Sequence, residues 1–472
     1  MPTPPVPPGA LPAFPPGFLW GAAASAFQTE GAARTGGKGP SGWDDFADQG
    51  RIKDGADASR GTGFHDRYRE DVALLAGLGA DAFRFSVSWP RVVPGGSGPV
   101  NPAGLDFYER LVDELLGRGI TPAPTLYHWD TPLPLDRAGG WLERDTAARF
   151  AEYASAVAER LADRVPMWIT INEPAEVTLL GYAIGEHAPG HRLLFGALPA
   201  AHHQLLAHGL AVQALRAAGA RNIGIACSHS PVRPAGDSEA DRTAAAVYDT
   251  LVNWTFADPV LTGRYPDEEL AALLPGPVAE DLSVIAAPLD WYGVNYYAPM
   301  AVGAPEPGPA ADGAGGGTEG AGGAFGGITL PPDLPFALRE TESEERTDFG
   351  WPVVPEGLYD LLTGLRDRYG RALPPLYITE NGCSYGGLDD GRRIAYLDSH
   401  LRALHRAVTD GVDVRGYFTW SLTDNIEWVE GASQRFGLVH VDYATLERTP
   451  KASYAWYRDT IAAQHATRGT SG

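Results

Sequence analysis

Two glutamates stand in matching contexts far apart in the chain. Glu173 closes the apolar run of "MWITINEP" (167–174) and Glu380 that of "PLYITENG" (375–382), each beside an asparagine. A short apolar run bounded by Pro or Gly reads as a buried strand. A lone carboxylate at its end is costly to bury unless it is paired or put to use. Taken singly, such a glutamate is a surface or salt-bridged group, a tryptophan is core, and a histidine is a hydrogen-bonded structural residue. The repetition of one pattern argues against that. Two carboxyl groups facing each other can cleave a glycosidic bond: a protonated one helps the leaving oxygen depart, and an ionised one attacks the anomeric carbon. Two negative charges held close resist simultaneous ionisation, which separates the two pKa values.

Eight short apolar runs must position these groups, at 18–26, 82–89, 121–129, 167–174, 222–229, 290–297, 375–382 and 414–422. Segments with helical spacing lie between them, among them 66–79, 104–119 and 392–408. Strands alternating with helices predict a parallel sheet covered on both faces. Eight such units predict an α/β fold, a single-domain (β/α)8 TIM barrel with long βα loops. The expected organisation is a Pro-rich tail over 1–16, the barrel over 17–465 and a C-terminal tail over 466–472. Within the barrel, 303–327 holds eleven glycines in twenty-five residues and reads as a flexible loop insertion after the sixth strand.

In such a barrel the chemistry belongs to the C-terminal strand ends. Those ends carry Gln28 after the first strand, Arg84 in the second, and His128 and Trp129 on the third. Asn172 and Glu173 close the fourth, Asn295 and Tyr297 the sixth, Glu380 the seventh and Trp420 the eighth, with Glu427 and Trp428 just beyond. Indole faces suit the C–H faces of a sugar, and Gln28, His128, Asn172 and Glu427 are the right types for its hydroxyls.

The chain has 472 residues and a net charge of −22, which disfavours nucleic acid and anionic membranes as partners. Two cysteines, Cys227 and Cys383, make neither a disulfide framework nor a four-cysteine metal site. The start of the chain lacks a basic, then apolar, secretory pattern, and no apolar run is long enough for a membrane span. A cytoplasmic protein without metal or organic cofactor is expected.

"TINEP" and "ITENG" resemble the acid/base and nucleophile motifs of the family 1 glycoside hydrolases, the β-glucosidase family. The likeness runs on through "FLWGAAASAFQTEGA", "YHWD", "GVNYY", "GYFTWSLTDNIEW" and "RFGLVHVDYATLERTPKASYAWY". It implies a retaining β-glycosidase, foremost a β-glucosidase, acting on small β-glycosides or short oligosaccharides, with β-galactosides and β-fucosides as further substrates. Carried over residue by residue, it implies Glu173 as general acid/base and Glu380 as nucleophile, with Arg84 and Tyr297 holding Glu380 ionised. Gln28, His128, Trp129, Asn172, Glu427 and Trp428 would meet sugar hydroxyls, and Trp420 would floor the sugar site. Trp351 would be an aromatic platform for the leaving group. Phospho-sugar relatives change the position of Glu427 and carry Lys and Tyr shortly after; here Glu427 is kept, and Gln434 and Phe436 follow, which implies a neutral sugar. The rivals are a barrel glycanase with an open groove and a binding protein with a dead site. Ala175 departs from the family's Trp and is expected to border an open leaving-group side.

Overall fold

The computed structural model describes residues 11–56, 58–305, 330–331 and 334–468. Most of the glycine-rich 303–327 segment lies outside the described residues. Eight strands form a closed parallel barrel: β1 (Leu19–Ala23), β2 (Ala82–Ser86), β3 (Thr121–Tyr127), β4 (Trp168–Asn172), β5 (Ile223–Ser228), β6 (Tyr292–Asn295), β7 (Leu376–Asn381) and β8 (Val414–Trp420). Each pairs with its neighbours in the chain, and β1 closes on β8. All eight runs picked out in the sequence are therefore strands of one (β/α)8 barrel.

The helices outside the barrel follow from apolar stripes. Over Asp145–Leu161, Ala147, Phe150, Tyr153, Ala154, Val157 and Leu161 are buried, one face of a 3.6-residue repeat. The helix over Phe64–Leu78 stops at Gly79, whose φ of 74° is open to glycine at little cost. Inside the barrel, small residues make room for rings. A Cβ at Gly21 would stand 2.5 Å from the Phe418 ring, and one at Gly224 2.5 Å from Trp291. The interior is thus filled by side chains, and the open space lies at its mouth.

Register brings the strand ends to one rim: Ala23 pairs with Trp420 and Arg84, Asn172 with Ala226, and Asn295 with both Ser228 and Glu380. Two small sheets add to the barrel, a three-stranded one over Val232–Pro234, Met300–Gly303 and Ala337–Arg339 and a hairpin of Val439–Val441 with Arg448–Pro450. Residues 11–16, grouped with the tail by composition, dock on the last helix. Phe14 is buried against Phe18 and Trp20, and its amide donates to Gln464 Oε1 at 2.9 Å. Among the described residues no helix is long and apolar enough to cross a membrane, and no cluster of three or more His, Cys, Asp or Glu is placed to hold a metal ion.

Candidate active site

Local irregularities aim both glutamates. The β4–β5 ladder shifts register between Ile169 and Asn172, and Glu173 then takes the left-handed conformation at φ 48°, with Pro174 opening a short helix behind it. The β6–β7 ladder shifts between Ile378 and Glu380. Such shifts bend a strand and redirect a side chain. Trp129 and Trp428 also have positive φ, 76° and 44°. Strained backbone at three positions of one rim is held in place by the packing around it.

Glu173 and Glu380 line the same cavity, of about 240 Å³, and are 5% and 3% exposed. Their partners differ. Arg84 Nη1 donates to Glu380 Oε1 at 2.5 Å, and the Tyr297 hydroxyl donates to Oε2 at 2.7 Å. Glu173 has amide donors only, Asn295 Nδ2 at 2.7 Å and Asn172 Nδ2 at 3.3 Å. Asn295 is itself fixed: Thr379 Oγ1 donates to its carbonyl oxygen at 2.6 Å, and its amide also reaches Asn172 Oδ1 at 3.0 Å. Arg84 binds the same Asn172 oxygen, so one hydrogen-bonded chain links the two glutamates. Burial raises the pKa of Glu173 well above the usual carboxylate value, and the charges of Glu380 and then Glu176 raise it further. Burial and the Glu380 charge likewise keep the Tyr297 phenol protonated.

The rest of the wall is polar at one edge and aromatic elsewhere. Glu427 is pushed up to about 8 by burial and then by Glu380. His128 is held neutral by burial and by Arg84, with Nε2 at 3.2 Å from Asn172 Nδ2. Its ring stacks near Trp420, at 5.8 Å and 15°. Trp129 and Trp428 stack at 4.3 Å. Trp351 stands against Phe436 and Tyr297 at 5.8 and 5.2 Å. A protonated acid opposite an ion-paired carboxylate, in a cavity of indoles and hydroxyl-binding groups, is equipped for acid-assisted displacement at an anomeric carbon.

The family model for glycosyl hydrolase family 1 matches residues 11–466. The chain belongs to this family. It is 46% identical to thermostable beta-glucosidase B of Thermobispora bispora over 461 residues, 95% of this chain and 90% of that protein. It is 42% identical over 490 residues to a bifunctional beta-D-glucosidase/beta-D-fucosidase of Bifidobacterium breve, covering 96% and 99% of the two chains. Among solved structures, the psychrophilic beta-glucosidase from Micrococcus antarcticus superposes with a TM-score of 0.88 at 46% identity, over 96% and 98% of the chains.

Of the residues singled out in the sequence of this family member, His128, Trp129, Glu173, Asn295, Tyr297, Trp351, Glu380, Trp420, Glu427, Trp428 and Phe436 line the cavity. Gln28, Asn172 and Arg84 stand one layer behind it. Gln28 Nε2 already serves Asn425 Oδ1 and Ile426 O at 3.0 Å and Glu427 Oε2 at 3.4 Å. Asn295 touches the Glu173 carboxyl directly, which the strand-end reading did not specify. Ala175 differs from expectation. It is 3% exposed, sits in the main core and does not line the catalytic cavity, because the turn at Glu173 points residue 175 inward and residue 176 toward the site. Glu176, Ser228, His229 and Ser230 line the cavity and were missed. The serines and His229 follow the same strand-end rule on β5 and could have been found by it. Glu176 carries no such signal.

Proposed function

We propose that the protein is a retaining β-glycosidase, foremost a β-glucosidase, that removes terminal non-reducing β-D-glucosyl residues from small β-glucosides and short oligosaccharides. The observation that carries this reading is the unequal treatment of two carboxyl groups in one cavity. Glu380 has a guanidinium and a phenol as donors, whereas burial and neighbouring negative charge keep the proton on Glu173. Glu380 attacks the anomeric carbon while the Glu173 proton passes to the departing oxygen, leaving a glycosyl ester on Glu380. Glu173, now ionised, takes a proton from water as that water cleaves the ester and regenerates both groups.

In this reading His128, Trp129, Glu427 and Trp428 meet the sugar hydroxyls and Trp420 lies under the ring. Gln28 and Asn172 complete the set from one layer deeper, and Trp351 and Phe436 flank the leaving group. The bifunctional name of the Bifidobacterium relative supports acceptance of β-fucosides, and β-galactosides belong to the same set of epimers. The two buried, unbridged cysteines support a cytoplasmic setting. Retention requires the two carboxyl groups to lie about 5–5.5 Å apart, which leaves no room for a water between them. Proton NMR of the first product tests this: β-glucose appearing first is expected, and α-glucose appearing first overturns the nucleophile role of Glu380.

A further inference from the structure

A second cavity, of about 110 Å³, lies beside the catalytic one, and Glu176, Leu180, Ser228, His229 and Ser230 line both. Away from these shared residues its walls are mainly apolar, with Ala183, Ile184, Leu251, Phe256, Leu334 and Phe336 among them. Thr178, Thr255 and Asn253, deeper in the wall, already have partners. Thr178 Oγ1 donates to Pro174 O at 2.8 Å and Thr255 Oγ1 to Thr250 O at 2.8 Å, and Asn253 Nδ2 bonds Ser230 O at 2.9 Å and Asp249 Oδ1 at 2.7 Å. Two segments bounding the chamber, Val177–Ala183 and Thr250–Trp254, are wound as π-helix. This winding is rare and recurs at functional sites, because the wider turn displaces side chains from where an α-helix would put them.

The shared wall adjoins the proton donor. Glu176 follows Glu173 by three residues, its amide donates to the Glu173 carbonyl at 3.1 Å, and its side chain borders both cavities. We infer that the two cavities communicate past these shared residues and that the chamber takes the apolar part of the leaving group, so that the preferred substrates are β-glucosides of alcohols carrying a single hydrocarbon ring or a short alkyl chain. This rests on the glucosidase reading above. An apolar cavity of about 150 Å³ takes up benzene, so the chamber suits a group of that order and not a large polycyclic one. A second glucose is a poor occupant, since its hydroxyls would lose water to a mainly apolar wall whose threonines and asparagine are already bonded. Cellobiose must then lodge its second sugar in the outer cavity near Trp351.

The test is kcat/KM across methyl, ethyl, butyl and hexyl β-glucosides and phenylethyl β-glucoside, with cellobiose and dinitrophenyl β-glucoside as references. Primary alcohols leave with nearly equal ease, so chain length reports contact. Burying one methylene is worth about 0.8 kcal/mol, or about threefold to fourfold. A gain of about tenfold or more from ethyl to hexyl is expected, and Ala183→Phe, which fills the chamber from a residue outside the catalytic cavity, should remove it while dinitrophenyl glucoside hydrolysis stays within about twofold. A flat chain-length profile in the unmodified protein overturns the chamber assignment alone, whatever the fate of the variant. A gain that persists in a folded Ala183→Phe protein also overturns it, by placing the contact elsewhere. Hydrolysis of none of these glucosides overturns the glucosidase reading and the chamber with it.

Discussion

Asp424 and Glu173 are both buried carboxyl groups near the rim of the barrel, and their surroundings treat them in opposite ways. Asp424 lies 2.8 Å from Lys451 Nζ, 3.3 Å from an Arg435 nitrogen and 3.2 Å from His440 Nδ1, and accepts from the Gly437 amide at 3.0 Å. Despite burial its pKa is lowered to about 2, through His440, Lys451 and Arg435. Lys451 is pushed down to about 8 because burial outweighs the pull of Asp424, and it too stays charged at neutral pH. Glu173 shares its cavity with Glu176, Glu380 and Glu427, while the Arg84 guanidinium, one layer behind, is bonded to Glu380 and not to Glu173. Where cations surround the carboxylate, the charge is compensated and ties the segment carrying Glu427 and Trp428 to the hairpin and the last helix. Where compensation is withheld, the group keeps its proton and becomes an acid. A buried carboxyl is structural or chemical according to its cations, not its depth.

Removing members of the two clusters should therefore give different failures. The largest effect is expected for Glu380→Gly, which removes the attacking atom and should abolish hydrolysis of every glucoside regardless of leaving group. Residual turnover that improves with better leaving groups would break the comparison. Glu173→Ala should lose about 10²–10⁴-fold in kcat/KM on glucosides of poor leaving groups and little on dinitrophenyl glucoside, whose phenol departs unprotonated. Added azide should restore turnover of the latter. Equal losses for good and poor leaving groups would contradict a proton-donor role.

Asp424→Asn should act on stability instead. It leaves Lys451 buried without its carboxylate, a loss of about 3–5 kcal/mol, seen as a lower unfolding midpoint in urea. The folded pKa of about 2 lies below the ordinary 3.8, so the Asp424 contribution is complete above the ordinary carboxylate range and disappears as pH falls through about 2. The stability gap between parent and variant should therefore close in that acidic window; a gap independent of pH would show that the contribution is not ionic. The smallest effect is expected for Glu176→Gln. Removing a charge that helps keep the proton on Glu173 should move the basic limb of kcat/KM to lower pH, Glu380, Asn295 and Arg84 being unchanged. A limb that stays in place or moves upward would remove Glu176 from the electrostatics of the acid.

How much of this was legible in the sequence follows from the range of the interactions. The strands and the two glutamates were readable because apolar runs and their end residues are local signals, and the parallel register then carries them to one rim. The depth of Gln28 and Asn172 was not readable, since one layer of packing separates a wall residue from one bonded behind it. The inward direction of Ala175 depends on the left-handed turn at Glu173, a conformation with no signature in "NEPAE". The side chamber depends on π-helical winding in two segments about seventy residues apart, and the Asp424 cluster on a lysine twenty-seven positions away. Both are set by tertiary packing.

The central claim, that Glu380 is the group that becomes glycosylated, is tested most directly by trapping. A glucosyl fluoride whose 2-hydroxyl is replaced by fluorine slows release of the glycosyl ester, and peptide mass spectrometry then locates the sugar. A single adduct on Glu380, in the peptide holding "YITEN", is the predicted result. An adduct on Glu173 or Glu427, or turnover of the substrate with α-glucose as first product and no adduct, would contradict it.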